Sequence, residues 1–145
     1  MEIINPLSLT NSQKRKIKEE YGPRYNLIQR ITNGFWGSPY AFMDSRQLQL
    51  GLYDTNVKVN LERGTSSLFL HIHQHPDKYW IAIIHEDEVK EVQWLSEKEK
   101  ILCRIEIIQN PTLDLIIPSV NKKSFLHYLK SWQNKEKKIR ISITC

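Results

Sequence analysis

Cysteine is scarce, with two in 145 residues. Two thiols cannot build a disulfide framework. Cys103 sits inside an apolar strand pattern and Cys145 is the last residue, so reduced thiols in a cytoplasmic setting are expected. With nothing after Cys145, no prenylation box is expected. No apolar run approaches the ~20 residues of a membrane helix. The opening "MEIINPLSLT" has neither a basic n-region nor an apolar h-region, so it does not read as a secretory signal. Glycine is also sparse, at five residues. There is no phosphate-cradling glycine loop, no nucleophile elbow and no Cys–His arrangement with supporting spacing. No catalytic residues and no cofactor are therefore expected.

What remains is an ordinary globular balance, 40% hydrophobic and 26% charged, at a length that suits one domain with a single core. The net charge of +5 is unevenly spread. Residues 1–30 carry six Lys/Arg against three Asp/Glu, residues 31–121 carry eight against twelve, and residues 122–145 carry seven against one. Both ends are basic and the middle is mildly acidic. If the ends meet, they form one positive face suited to nucleic acid, a membrane surface or an acidic protein.

Periodicity supplies the elements. "LTNSQKRKIKEEYGP" reads as a surface helix, with Thr10 and Gln13 as a capping box, Gly22-Pro23 as the stop, and only Ile17 and Tyr21 as an apolar stripe. From 47 the period becomes two. "QLQLGLY" (47–53) with "VKVNLE" (57–62), "SLFLHIH" (67–73) with "YWIAIIH" (79–85), and "ILCRIEII" (101–108) with "LDLIIP" (113–118) read as three antiparallel pairs. "NKKSFLHYLKSW" (121–132) brings Phe125, Leu129 and Trp132 onto one helical face with Asn121 as its cap. "IRISI" (139–143) suggests a last short strand. The stretch "HEDEVKEVQWLSEKEK" (85–100) is ambiguous. Val89, Val92 and Leu95 have helical spacing, whereas Val92 and Trp94 alternate as in a strand. The hairpin rhythm on both sides favours the strand.

With that choice, "YWIAIIHEDEVKEVQW" and "LDLIIPSVNKKSFLHYLKSW" resemble the pleckstrin-homology-like superfold, bacterial members included, over roughly residues 47–133. The resemblance implies an α+β, mostly β fold. About seven antiparallel strands would form a small barrel closed by a C-terminal amphipathic helix. Residues 1–46 would be an N-terminal extension with a short helix and an aromatic loop, and 134–145 a basic tail or extra strand. Such domains bind phosphoinositide head groups, peptides or proteins and are not usually enzymes. Their lipid-binding members use a basic cluster around the first strand loop. Here that loop is "YDTN", followed only by Lys58 and Arg63, so the resemblance implies a protein partner instead.

Several constellations compete with that reading. His71, His73 and His75 alternate along a strand. They would be solvent-facing imidazoles at its end, the beginning of a metal site, or the core of a histidine-triad-like hydrolase. Gln74, Pro76 and Asp77 break the spacing the last requires. Glu86, Asp87, Glu88 and Glu91 could hold a cation, though a solvated acidic turn accounts for them. Lys122 and Lys123, in the first turn of the closing helix, oppose its dipole unless an anion binds there. Lys14, Arg15, Lys16 and Lys18 repeat the arrangement on the first helix. Exposed lysines tolerated on a surface explain both groups without a ligand. Phe35, Trp36 and Tyr40 form a candidate interaction loop, or an aromatic plug for one end of the barrel. The expectation is a non-enzymatic interaction module that binds a protein. The alternatives are nucleic-acid or anionic-surface binding through the basic termini, and a metal-dependent or histidine-triad-like hydrolase.

Overall fold

A computed structural model of the chain describes residues 1–23, 37–48, 56–74, 78–109 and 112–144. Within them lie strands β1 (Glu2–Ile4), β2 (Ala41–Asp44), β3 (Asn56–Arg63), β4 (Ser67–Gln74), β5 (Lys78–His85), β6 (Val89–Glu97), β7 (Lys100–Ile107), β8 (Leu113–Ile116) and β9 (Ile141–Ile143). Two α-helices accompany them, α1 (Asn11–Tyr21) and α2 (Lys122–Lys135). The protein is mostly β, as the periodicity implied. The strands form one sheet in the order β1-β5-β4-β3-β2-β8-β7-β6-β9. All neighbours are antiparallel except β6 and β9.

Two expectations are corrected here. Among the described residues the strand count is nine rather than about seven, because β1 and β9 add to the two ends of the series β2–β8. β9 is the short last strand expected within 139–143, whereas β1, at three residues, is too short to show alternation in the sequence. The sheet is also open rather than a closed barrel, with β1 and β9 at its edges.

The first expected strand is displaced. After β1 the chain returns to the sheet at β2, ahead of residue 47, and Ser45–Leu48 is a 3-10 turn. Residues 49–53 of that expectation lie outside the described residues. Gln47 reaches sideways instead of extending a strand. Its Oε1 accepts from the Asp114 amide at 2.9 Å and its Nε2 donates to the Asp114 carbonyl at 3.3 Å, so the side chain continues the β8 ladder.

The ambiguous stretch resolves as β6, and a bulge explains its helical look. The register shifts between Val89 and Glu91, so Val89 and Val92, three apart, both turn inward with Trp94. Leu95 then faces outward. The hairpin to β7 turns on Lys98 and Glu99, with φ of 50° and 65°. Both lie in the left-handed region of a type I′ turn, for which Asn-Gly is the usual signal. A charged "KE" turn gives the sequence no such mark.

The core lies between the inner face of the sheet and α2. Val57, Val59 and Leu61 of β3, Leu68, Leu70 and Ile72 of β4, and Ala82 and Ile84 of β5 point inward at alternate positions. Phe125, Tyr128, Leu129 and Trp132 of α2 meet them at i, i+3, i+4 and i+7. The buried Tyr128 hydroxyl donates to the Leu61 carbonyl at 3.1 Å, and burial raises its pKa far above the ordinary phenol value. Asn121 does not cap α2 with its side chain. Its Nδ2 donates to the Tyr40 carbonyl at 2.9 Å, tying the segment before β2 to the helix start. On the other face of the sheet, Ile17 and Tyr21 of α1 pack against Phe69, Ile83, Ile4 and Ile81. The predicted capping box is formed: the Thr10 amide donates to Gln13 Oε1 at 2.8 Å and the Gln13 amide to Thr10 Oγ1 at 3.2 Å. Gly22, at φ 79°, ends the helix against Thr65 and Ser66. A Cβ there would approach Thr65 Oγ1 to 2.8 Å.

Candidate functional site

The outer face of the sheet carries one continuous cross-strand row. Paired residues follow one another from β6 to β5 as Leu95, Leu102, Ile116, Phe42, Lys58, His73 and Tyr79. Opposed residues in an antiparallel sheet share a face, so these side chains form a single band. Leu95, Ile116, Phe42 and Tyr79 are half-buried, while Lys58 and His73 are exposed. Tyr40 extends the band. Its ring meets Phe42 edge-on at 5.6 Å, and Lys58 Nζ lies 4.7 Å from its centroid. Three hydrogen bonds hold that segment in place: the Ser38 amide donates to the Leu61 carbonyl at 2.7 Å, the Leu61 amide donates to Ser38 Oγ at 2.9 Å, and Asn60 Nδ2 donates to the Ser38 carbonyl at 2.8 Å.

Behind the basic end of this band lies a polar cluster. His71 is buried on β4, its Nε2 2.9 Å from Glu62 Oε1 and its Nδ1 hydrogen-bonded to the Tyr79 hydroxyl. Tyr79 stacks nearly parallel to both histidines, with centroids 5.9 Å from His71 and 4.9 Å from His73. Burial, then the neighbouring His71 and Lys58, push the His73 pKa below the ordinary imidazole value, so that ring is neutral at pH 7 and Lys58 carries the band's charge.

The histidine series therefore divides. His73 faces solvent, as expected at a strand end; His71 does not, because β3 and β5 each bring a polar partner over it. His75 lies outside the described residues. Among the described residues no group of three His, Cys, Asp or Glu side chains could hold a metal ion.

The basic groups are not brought together. Lys14, Arg15, Lys16 and Lys18 are exposed on α1, which packs on the outer face. Lys122 and Lys123 are exposed at the start of α2, which packs on the inner face. Part of the C-terminal charge is spent internally, against the acidic run. Lys138 Nζ meets Asp87 at 2.6 Å and Glu86 at 3.3 Å, Arg140 meets Glu91 at 3.5 Å, and the Met1 ammonium meets Glu88 at 2.5 Å. The acidic run is thus neither a free cation site nor a merely solvated turn. Of the expected aromatic loop, Tyr40 joins the band, and Phe35 and Trp36 lie outside the described residues.

Sequence reasoning missed Glu62, Tyr79 and the apolar half of the band. The signal was present in the hairpins. Pairing β3 with β4 about the turn at 64–66 sets Glu62 diagonal to His71, and pairing β4 with β5 sets Tyr79 diagonal to it from the other side.

No protein-family model matches the chain, and no curated protein matches it. Among solved structures, it is similar to the hSac2 domain from human phosphoinositide phosphatase Sac2. The identity is 8% and the TM-score 0.43, over 95% of this chain and 92% of that one.

Proposed function

We propose that the chain is a non-enzymatic interaction module that docks a protein partner on the outer face of its sheet. The supporting observation is the half-exposed row Leu95, Ile116 and Phe42, extended by Tyr40 and edged by Lys58. An antiparallel sheet facing only water ordinarily alternates to polar side chains there. A contiguous apolar row with an aromatic end and a charged rim has the make-up of a protein interface. The complementary partner presents aliphatic or aromatic side chains with a carboxylate beside them to meet Lys58.

The same reading takes β2–β8 followed by α2 as a pleckstrin-homology-like unit, with α1, β1 and β9 as additions. The support is the run of seven consecutive antiparallel strands leading into a helix that fills the inner face. No described helix is long and apolar enough to cross a membrane.

The test is capture from native lysate at low and high salt, with the wild-type chain and Phe42→Asp. A protein partner retained in high salt and lost with Phe42→Asp is the expected result. Binding that collapses steeply with salt and survives Phe42→Asp would transfer the function to the basic termini and an anionic partner.

A further inference from the structure

Glu62, His71 and Tyr79 sit on three adjacent strands, and the two hydrogen bonds of the imidazole join them in series. The polarity of that series follows from donor chemistry. An ionised carboxylate only accepts, so a neutral His71 carries its proton on Nε2, facing Glu62. Nδ1 is then left with a lone pair, and the Tyr79 hydroxyl donates to it. Carboxylate, imidazole and hydroxyl in this order are the arrangement that activates hydroxyl nucleophiles. The surroundings favour it. Glu62 and His71 are 3% and 8% exposed, so little water competes for their hydrogen bonds, while Tyr79 is half-buried and borders the exposed His73.

We propose that Tyr79 is a nucleophilic phenol, a covalent acceptor site for activated acyl and sulfonyl groups. With an aryl ester, the phenol oxygen bonds to the carbonyl carbon as its proton passes to His71 Nδ1. The resulting imidazolium is held by Glu62. The aryl oxide departs with the bonding pair and takes the proton back from Nδ1. The products are a Tyr79 ester and a free phenol, with neutral His71 restored. With a sulfonyl fluoride, sulfur replaces the carbonyl carbon, and fluoride leaves with the proton. Tyr79 is the reacting group, and His71 and Glu62 act through it. This proposal stands apart from the docking reading and does not depend on it.

The test treats the full chain with an aryl sulfonyl fluoride and follows labelling of each tyrosine by peptide mass spectrometry. Tyr40, also half-buried, is the internal reference. Positioned general bases contribute about 10²–10⁴-fold. Tyr79 is therefore expected to label at least ~10-fold faster than Tyr40 at neutral pH, and His71→Asn to erase the difference. Because that variant replaces a buried group, Glu62→Gln supplies a second reading: it keeps an oxygen for His71 Nε2 but removes the charge that holds the imidazolium, so it should slow Tyr79 labelling and leave Tyr40 unchanged. Equal rates for Tyr79 and Tyr40 in the wild-type chain, or a Tyr79 rate unmoved by Glu62→Gln, would overturn the proposal.

Discussion

Two buried carboxylates, one on β3 and one met by the next residue of β3, are held in different ways. Arg63 points inward at the end of the strand, where its Nε donates to Glu136 at 2.9 Å and its Nη2 to Glu136 at 3.2 Å and also to Glu86. Glu136 further accepts from Trp132 Nε1 at 2.5 Å and from the Ile139 amide at 3.0 Å. Glu62, one residue earlier, points outward to His71. The side chains of Glu136 and Glu62 are 3% and 4% exposed, so burial is matched. The partner differs. A guanidinium is a permanent cation with several donors, whereas the imidazole of His71 meets Glu62 through one ring nitrogen. The first cluster is a permanent staple joining the β3–β4 turn, the β5–β6 turn and the segment after α2. The second is a hydrogen-bonded series set beside a solvent-facing band.

The comparison breaks most visibly at Arg63. Replacing it with Met leaves Glu136 and part of Glu86 buried without their cation. A loss of roughly 3–5 kcal/mol in urea unfolding is expected, where an exposed pair would give under ~1. Acid gives the next effect. Burial alone would raise the Glu136 carboxyl, but hydrogen bonds from Arg63, Trp132 and the Ile139 amide outweigh it and hold the pKa at about 2, against an ordinary 4.5. A depressed folded value stabilises above the unfolded pKa and is lost as pH falls through the folded one. On the order of 3 kcal/mol should therefore disappear between about pH 4.5 and pH 2, and Glu136→Gln should flatten that part of the profile. The smallest effect belongs to the outer cluster. Glu62→Gln keeps an oxygen to accept from His71 Nε2, so a loss of only ~1 kcal/mol is expected at neutral pH. A loss at Glu62 as large as that at Arg63 would erase the distinction between the two clusters.

The sequence made β3–β5, β7 and the apolar face of α2 legible, because alternation and i, i+4 spacing report burial directly. The α1 caps were equally clear, since capping is local side-chain chemistry. Two kinds of feature were less legible. β1 is defined by pairing rather than pattern, and the β6 bulge mimics a helical repeat by turning Val89 and Val92 to one face. The site fared worse because its partners are distant. Glu62 meets His71 across nine residues, and Phe42 meets Ile116 across two different strand pairs. Such contacts become visible only once the registers are assigned. The lysines drew notice because charge is conspicuous in a sequence, yet α1 and α2 carry them to opposite faces of the sheet.

The sheet's two ends bear on its behaviour at high concentration. A long, flat border strand presents unpaired amides that can recruit another chain into a fibril. Here both borders are strands of three residues, one running parallel to its neighbour and pinned by Gln133 Nε2 donating to the Ile141 carbonyl at 2.9 Å. Borders that short offer little template, and they cover the longer strands behind them at Ile81–Ile83 of β5 and Val92–Trp94 of β6.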